Sequence, residues 1–200
     1  MAPRGVAIPD ARERLFAAAE RVLERDGPGA LNSRAVTDEA GCSKGLLHTH
    51  FAGLDDFVAE LCLDRFARTA RQAERLPARA GEGSVARTLG EVALALLRSG
   101  GPTISALALS RPAATLRIRE ALESGAPGFD AIEEAIASYL DAERRLGRIA
   151  PDTDTAAAAL AVVGAVHHLL MTARPGGADP ARRVERVVAL LVGEATGPLS

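Results

Sequence analysis

The sequence predicts an all-α protein on three grounds: its composition, its helical periodicity and the placement of its helix breakers. Alanine, the strongest helix former, supplies 41 of the 200 residues, and β-branched residues are a minority. Apolar residues recur three and four positions apart through most of the chain, as they do along one face of a helix. Clusters of glycine and proline separate these stretches. We therefore expect about nine helices and no strand.

Charge and cysteine content narrow the class of protein further. The net charge is −2 and the pI about 6.1, which is not the basic balance of a protein that coats nucleic acid, although it allows a small DNA-reading surface. Cys42 and Cys62 are too few for a disulfide framework and are expected to pack as small apolar side chains. Residues 1–14 lack the apolar run of a signal peptide, and the most apolar stretch, 155–171, is short for a membrane span. We expect a cytoplasmic protein that does not contact a membrane.

A first helix is predicted over residues 10–25, with Asp10 as its N-cap. Leu15 and Val22 lie seven positions apart on one apolar face, and charged residues cover the other face. Residues 26–29, which read Asp-Gly-Pro-Gly, end this helix because they contain three strong breakers.

Two short helices follow and form a helix-turn-helix pattern. Asn32 or Ser33 can cap the first of them, and Gly41 suits the left-handed backbone that commonly follows a helix. Ser43 can cap the second, which runs to Phe51. A short helix, a tight glycine turn and another short helix hold the last helix out from the body, free to enter a major groove.

The remaining helices are predicted from the same periodicity and breakers. A long helix begins near Leu54 and extends to about residue 76, where Pro77 breaks it. Further helices are expected over residues 84–99, 103–109, 113–123, 129–146, 155–171 and 180–194. We divide the chain into an N-terminal domain, residues 1–53, and a second helical domain, residues 54–200.

The last two predicted helices differ in character. Residues 155–171 are apolar on nearly all sides, so we expect one face of this helix in the core and the other against a partner chain. The helix over 180–194 has a narrower apolar stripe beside an arginine-rich side. The residues expected at a dimer interface are Val163, Val166, Leu170, Val184, Val187, Val188 and Leu191.

Residues 41–51 carry the most specific pattern in the chain. They read Gly-Cys-Ser-Lys-Gly-Leu-Leu-His-Thr-His-Phe. This segment resembles the pattern Ala-Gly-Val-Ser-Lys-Gly-x-Leu-Tyr-x-Tyr-Phe of the TetR family of bacterial transcriptional regulators, and the resemblance covers about 50 residues. Asp55 and Asp56 stand where the family has an acidic pair. The matching positions within the pattern are Ala40, Gly41, Ser43, Lys44, Gly45, Leu47 and Phe51.

The resemblance implies a three-helix helix-turn-helix domain followed by a larger helical domain that binds a ligand and dimerises. It implies a ligand-responsive regulator, most often a repressor, that binds a palindromic DNA operator as a homodimer and is released by a small-molecule effector. No catalytic set, phosphate loop or metal-spaced cluster can be assembled from the sequence. We therefore expect neither an enzyme nor a bound cofactor or metal.

Candidate DNA contacts cluster on and just before the second helix of the pattern. Lys44 stands at the start of this helix and can reach a phosphate, and Gly45 lets the backbone approach closely. Thr49 can reach a base edge or a thymine methyl group. Leu47 and Phe51 are expected in the core instead. The full set of candidate DNA-contacting residues is Ser33, Arg34, Ser43, Lys44, Gly45, Leu46, His48, Thr49 and His50.

His48 and His50 depart from the family pattern, which prefers tyrosine at both positions. Histidine can still donate to a phosphate, but it is shorter and titrates near neutral pH. Their i,i+2 spacing places them on different helix faces, which argues against a metal pair. Residues 1–51 contain seven basic and seven acidic residues, so we expect modest non-specific DNA affinity with a modest salt dependence.

Ligand contacts are harder to assign from sequence, and we place the pocket within about residues 84–172. His167 and His168 lie in the apolar helix, where a hydrogen-bonded role in the core is favoured over a ligand contact. The candidate pocket residues are Ser105, Arg111, Tyr139, His167 and His168.

Two other functions stay open at this point. A helical enzyme or small-molecule carrier that does not bind DNA would need no recognition helix, and neither would a helical scaffold that only dimerises. Substitution of Lys44 and Thr49 separates these alternatives, because only a DNA-binding regulator loses DNA binding while its dimer survives.

Overall fold

Ten α-helices and two short 3-10 helices form the regular structure in a computed structural model of the chain, which describes residues 11–99, 102–172 and 179–192. No strand lies within those ranges, so the all-α prediction is confirmed. The 3-10 helices span Pro28–Ala30 and Leu76–Arg79. The α-helices are α1 (Ala11–Asp26), α2 (Ser33–Glu39), α3 (Gly45–His50), α4 (Leu54–Ala73), α5 (Val85–Ser99), α6 (Pro102–Leu109), α7 (Pro112–Glu123), α8 (Phe129–Arg145), α9 (Thr155–Thr172) and α10 (Pro180–Leu191).

Most helix ends fall within a residue or two of the prediction. The exceptions are α4, which ends at Ala73, and α10, which ends at Leu191 with Val192 as its C-cap. Pro77 lies in the first turn of a 3-10 helix, where proline needs no backbone donor. The predicted N-cap Asp10 and the predicted end of the last helix at residue 194 lie outside the described residues.

Packing divides the chain into two compact units. The first comprises Met1–Cys62 and Thr103–Ala121, and the second comprises Leu63–Pro102 and Leu122–Ser200. The segment of α6 and α7 within 103–121, which we call the α6–α7 segment, therefore packs with the N-terminal helices and not with its sequence neighbours. The sequence predicts a boundary between two functional domains at residue 53. This boundary differs from the division by packing, and it stays a prediction.

The core of the first unit is built around three phenylalanines. The rings of Phe16, Phe51 and Phe57 lie with centroids 5.0–5.7 Å apart. Leu47 is fully buried beside them, so its predicted core role, like that of Phe51, is confirmed. The α6–α7 segment adds Ile104, Leu107 and Ala114 to this core.

The core of the second unit contains a buried carboxylate among its apolar side chains. Glu143 of α8 is fully buried; its Oε1 accepts a hydrogen bond from the Gly81 N–H at 3.2 Å, and its Oε2 lies 3.1 Å from Nε of Arg148. A buried charge requires such partners. Burial, together with the neighbouring Glu143, raises the pKa of Tyr139 to about 12. These groups fix the loop around Gly81 onto α8.

The apolar helix α9 has one buried face and one exposed face. Val162, Val166 and Leu169 are buried in the second unit. By length and composition α9 is the one helix in the described part of the chain that could cross a membrane, a test that core helices also pass. The favoured core role for His167 and His168 is wrong, because both lie on the exposed face. The exposed residues of α9 are Ala156, Ala157, Leu160, Gly164, His167, His168, Met171 and Thr172.

Candidate nucleic-acid interface

A tight turn joins α2 to α3 and sets their relative orientation. The Asn32 side chain accepts a hydrogen bond from the Ala35 N–H at 2.9 Å and caps the start of α2. At its end, the Gly41 N–H donates to the carbonyl of Asp38 at 3.2 Å and the Cys42 N–H to that of Thr37 at 3.0 Å. This pair of bonds is the Schellman arrangement, which needs a left-handed residue at Gly41.

Gly41 has a φ of 62°, as the sequence predicted, and a Cβ there would meet no atom within 4 Å. We expect Gly41→Ala to lower the free energy of unfolding by about 1 kcal/mol. The added methyl group meets no steric clash, so the cost is only the backbone strain of an alanine in the left-handed conformation. Urea unfolding followed by circular dichroism measures this. An unchanged midpoint would contradict the role given to this turn.

α3 presents three sides that differ in chemistry. Each residue advances about 100° around a helix. Leu47 points into the core, so Gly45 and Thr49 lie roughly opposite it, on the exposed side. Lys44 and His48 share one flank of α3, while His50 lies on the other with the half-buried Leu46. The side of α3 opposite the core therefore carries the two smallest of the candidate residues within this helix.

The chemistry of that exposed side suits a base edge. The Thr49 hydroxyl donates to the Gly45 carbonyl at 3.0 Å within the helix, so its lone pairs and methyl group are left for an external partner. A Cβ at Gly45 would meet no atom within 4 Å, so the fold itself does not require glycine there. Glycine at this position leaves the backbone of α3 uncovered by a side chain on its exposed side.

The arginines of α1 are taken up by contacts inside the first unit. Arg12 pairs with Glu60 at 2.7 Å and stacks over the Phe51 ring at 4.7 Å. Arg14 donates to the Ala40 carbonyl at 3.0 Å. Arg21 lies 2.7 Å and Arg25 lies 2.8 Å from the carboxylate of Glu39. These contacts fasten α1 to α2 and α4.

The ion pairs of Glu39 also have a pH signature. Arg21 and Arg25 hold the pKa of Glu39 below its usual range through hydrogen bonds. The stability from this pairing is therefore present above the usual carboxylate range and is lost as the pH falls through the lowered pKa. It is constant near neutral pH.

Lys44 stands apart from these arginines. Arg34 of α2 lies 3.4 Å from Asp38, although its side chain is 74% exposed. Among the arginine and lysine side chains of residues 11–62, Lys44 is the one for which no hydrogen bond or ion pair is found. The helix-turn-helix surface thus carries one unpaired permanent cation, at the start of α3.

The two cysteines are packing residues. The Cys42 thiol donates to the Thr37 carbonyl at 3.6 Å, and burial raises its pKa. Burial raises the pKa of Cys62 to about 12. Both thiols are therefore protonated and uncharged near neutral pH, which agrees with a packing role as small apolar side chains.

The other candidate DNA-contacting residues lie around the same turn. Ser33 is the first residue of α2 and is half-buried, while Ser43 is exposed just before α3. The predicted cap from Ser43 is wrong, because α3 begins at Gly45 with Lys44 in the capping position and no side-chain cap bond. The Ser43 carbonyl instead accepts from the Leu46 N–H at 3.0 Å.

Sequence reasoning missed the ion pairs that hold the α6–α7 segment to α4. Arg111 lies 2.6 Å from Asp55, and Arg117 pairs with Asp56. Asp56 also accepts from the Ala52 N–H at 2.8 Å and so ties the residues before α4 to its first turn. The family resemblance marked the acidic pair, but no local pattern indicates partners more than 50 residues away.

The predicted pocket residues are dispersed through the structure. Tyr139 is buried in the second unit, Arg111 is paired with Asp55, and the side chain of Ser105 lies outside what the structure describes. A cleft of about 180 Å³ in the second unit is lined by other residues, and the Arg79–Glu91 ion pair of 3.0 Å lies within it. The lining residues are Thr69, Gln72, Ala73, Leu76, Arg79, Glu91, Val92 and Ala95.

The predicted dimer-interface residues mostly pack within the chain itself. Val187 and Leu191 are half-buried, and the other five are buried. The apolar surface available to a partner is instead on the opposite side of α9 and at Leu190 of α10, which is 79% exposed. The five buried residues are Val163, Val166, Leu170, Val184 and Val188.

Comparisons with known proteins agree with this geometry. The sequence model of bacterial regulatory proteins of the tetR family matches residues 15–61, which span α1 to the first part of α4. No curated protein sequence matches the chain.

Solved structures match nearly the whole chain, at identities that indicate fold alone. A TetR-family transcriptional regulator from Mesorhizobium loti has a TM-score of 0.68 at 16% identity, over 94% of this chain and 96% of that one. The regulator FadR from Bacillus subtilis, solved with stearoyl-CoA, has a TM-score of 0.61 at 16% identity, over 92% and 99%. SmeT, the repressor of a Stenotrophomonas maltophilia multidrug efflux pump, has a TM-score of 0.55 at 18% identity, over 91% and 88%. Residues 15–61 thus match the sequence model of the tetR family of bacterial regulatory proteins, and the described helices have the fold of solved regulators of that family.

Proposed function

We propose that this protein is a cytoplasmic transcriptional repressor that binds a palindromic DNA operator as a homodimer and is released by a small-molecule effector. The observation that carries the proposal is the exposed surface of α3. It combines the unpaired cation of Lys44 with Gly45 and with the free acceptors of Thr49. The arginines of α1, in contrast, are engaged in contacts with other residues of the first unit. Such a surface suits a phosphate at the start of α3 and base edges along it.

The dimer would form through the exposed face of α9. Leu160 is 58% exposed and Met171 is 39% exposed on that face, and Ala157 and Gly164 on the same face are small enough for a second helix to approach closely. Leu190 of α10 adds further exposed apolar surface. Exposed large apolar residues on one helix face commonly mark an interaction site, and a two-fold interface would use each of them twice.

The effector would bind in the cleft between α4, α5 and the 3-10 helix Leu76–Arg79. The cleft combines apolar walls with a few polar groups, as ligand sites do. Binding there would shift the population between DNA-competent and DNA-incompetent states. α4 runs from the first unit into the second, so a change at Thr69 or Gln72 can reach its DNA-proximal end.

A gel-shift titration of the full-length protein on DNA from upstream of its own gene, at low salt and without added ligand, tests the proposal. We expect a discrete complex that competitor DNA of unrelated sequence does not displace. Absence of any complex would contradict the assignment.

Gly45→Ala separates folding from DNA contact. The added Cβ meets no atom of the protein and alanine favours helix, so we expect the free energy of unfolding to stay within about 0.5 kcal/mol of the parent value. We expect operator affinity to fall about tenfold, because the methyl group holds the backbone away from DNA. Thermal unfolding and fluorescence anisotropy measure the two quantities. Unchanged affinity would mean that DNA does not approach α3 at this residue.

A further inference from the structure

We propose that His48 and His50 make operator binding pH-dependent. The first unit, which carries α3 and which we call the head, would bind DNA more tightly when both imidazoles carry a proton. This inference rests on the proposed function. It assigns to α3 a response to pH that comes from its own side chains.

The two histidines flank the surface that would face the groove. Both are exposed, and Thr49 lies between them on the most exposed side of α3. Two residues along a helix correspond to a rotation of about 200°, so His48 and His50 point toward opposite flanks. A helix in a major groove has a sugar-phosphate backbone on each flank. Each histidine is therefore placed to reach a different phosphate wall.

Most charged side chains of α1, α2 and the first turns of α4 are engaged with one another. Asp38 of α2 pairs with Arg34, and Glu60 of α4 pairs with Arg12 of α1. Arg14 of α1 donates to a backbone carbonyl. Three more carboxylates of α2 and α4 have arginine partners, namely Glu39 with Arg21 and Arg25, Asp55 with Arg111, and Asp56 with Arg117.

Nearby contacts of α3 leave the histidines available to an external anion. The His50 ring lies against Phe51 with centroids 6.4 Å apart, and Lys44 precedes His48 by one helical turn. Because these five carboxylates are paired with arginines, a proton on either imidazole adds a positive charge that a phosphate can neutralise. With Lys44 as the unpaired permanent cation of the head, two protonated histidines would triple the charge on this surface.

The sign of the effect follows from linkage. A phosphate stabilises the protonated imidazole, so DNA binding takes up protons and affinity falls as the pH rises through the ordinary range of histidine. A contact that raises an imidazole pKa by one unit changes affinity by up to about tenfold. We expect the wild-type protein to bind its operator roughly tenfold or more weakly at about pH 8 than at about pH 6. The salt dependence should be steeper at the lower pH, by up to about four ions per dimer.

The test is fluorescence anisotropy of the full-length protein on upstream DNA at both pH values and constant ionic strength. The variant His48→Gln/His50→Gln keeps a hydrogen-bond donor at each position and should lose the pH dependence. Its control, Arg21→Gln, removes from the same unit a cation that is engaged with Glu39, and it should retain the pH dependence.

Three results would overturn the inference. Equal affinity of the wild type at both pH values would refute it while leaving the proposed function intact. Retention of the pH dependence by His48→Gln/His50→Gln, or its loss in Arg21→Gln, would assign the effect to other groups. Absence of DNA binding at either pH would overturn the proposed function and this inference together.

Discussion

Replacement of Lys44 by glutamine is expected to weaken operator binding by about 100-fold and to leave the fold unchanged. Each head would lose one charge-assisted contact to a phosphate, worth about 1.5 kcal/mol, and a dimer would lose two. The plot of log affinity against log salt concentration should become less steep, because a dimer would release about two fewer ions on binding. The Lys44 side chain is exposed and has no internal partner among the described residues, so unfolding should not change.

Arg21→Gln is the matched control for Lys44→Gln. It removes the same charge from the same unit, but from a side chain that is engaged with Glu39. We expect its operator affinity to stay within about threefold of the parent value, since exposed ion pairs contribute little and distant charges are screened. Equal losses in the two variants would mean that only the total charge of the head matters, and the role given to the start of α3 would be wrong.

Leu160→Arg is expected to convert the protein to a monomer at micromolar concentration. Two-fold symmetry places the new charge twice in an apolar interface, where an unpaired charge costs several kcal/mol. Operator affinity should fall with dimerisation, because the two heads would no longer bind together. Analytical ultracentrifugation measures the oligomeric state directly.

Leu146→Arg is the control for this substitution. Leu146 is 57% exposed, almost as much as Leu160 at 58%, but it follows α8, and its side chain lies near Gly81. We expect this variant to remain dimeric and to bind the operator as the parent does. A Leu160→Arg protein that sediments as a dimer would exclude the α9 face as the interface.

Local signals in the sequence were sufficient for the helices and for the turn before α3. Gly41 adopts the left-handed conformation that its position after α2 predicted, and Leu47 and Phe51 are core residues as their spacing indicated. These features depend on residues only a few positions apart, which is the range over which periodicity and capping act.

Contacts between distant segments could not be predicted from these local patterns. The placement of the α6–α7 segment in the first unit depends on Ile104, Leu107 and the Asp55–Arg111 pair, which join residues about 50 positions apart. α6 is almost uniformly apolar, so periodicity alone gives no indication of which surface it covers.

The valines of α9 and α10 illustrate a related difficulty. They are the most apolar residues of these helices, and both a core and a dimer interface favour them. The structure buries Val163 and Val184 within the chain and leaves Leu160, Gly164 and Met171 exposed. A helix that is apolar on all sides does not itself distinguish the face toward the core from the face toward a partner.

Hydroxyl-radical footprinting of the wild-type protein on its upstream DNA, at low salt and without added ligand, tests the central claim most directly. We expect two protected patches related by two-fold symmetry, with centres about 34–36 Å apart or a multiple of that distance, as two major-groove helices of a dimer require. Both patches should disappear with Lys44→Gln at concentrations where Arg21→Gln still protects. Absence of protection by the wild type, or protection that survives Lys44→Gln unchanged, would contradict the assignment of α3 as a DNA-reading helix.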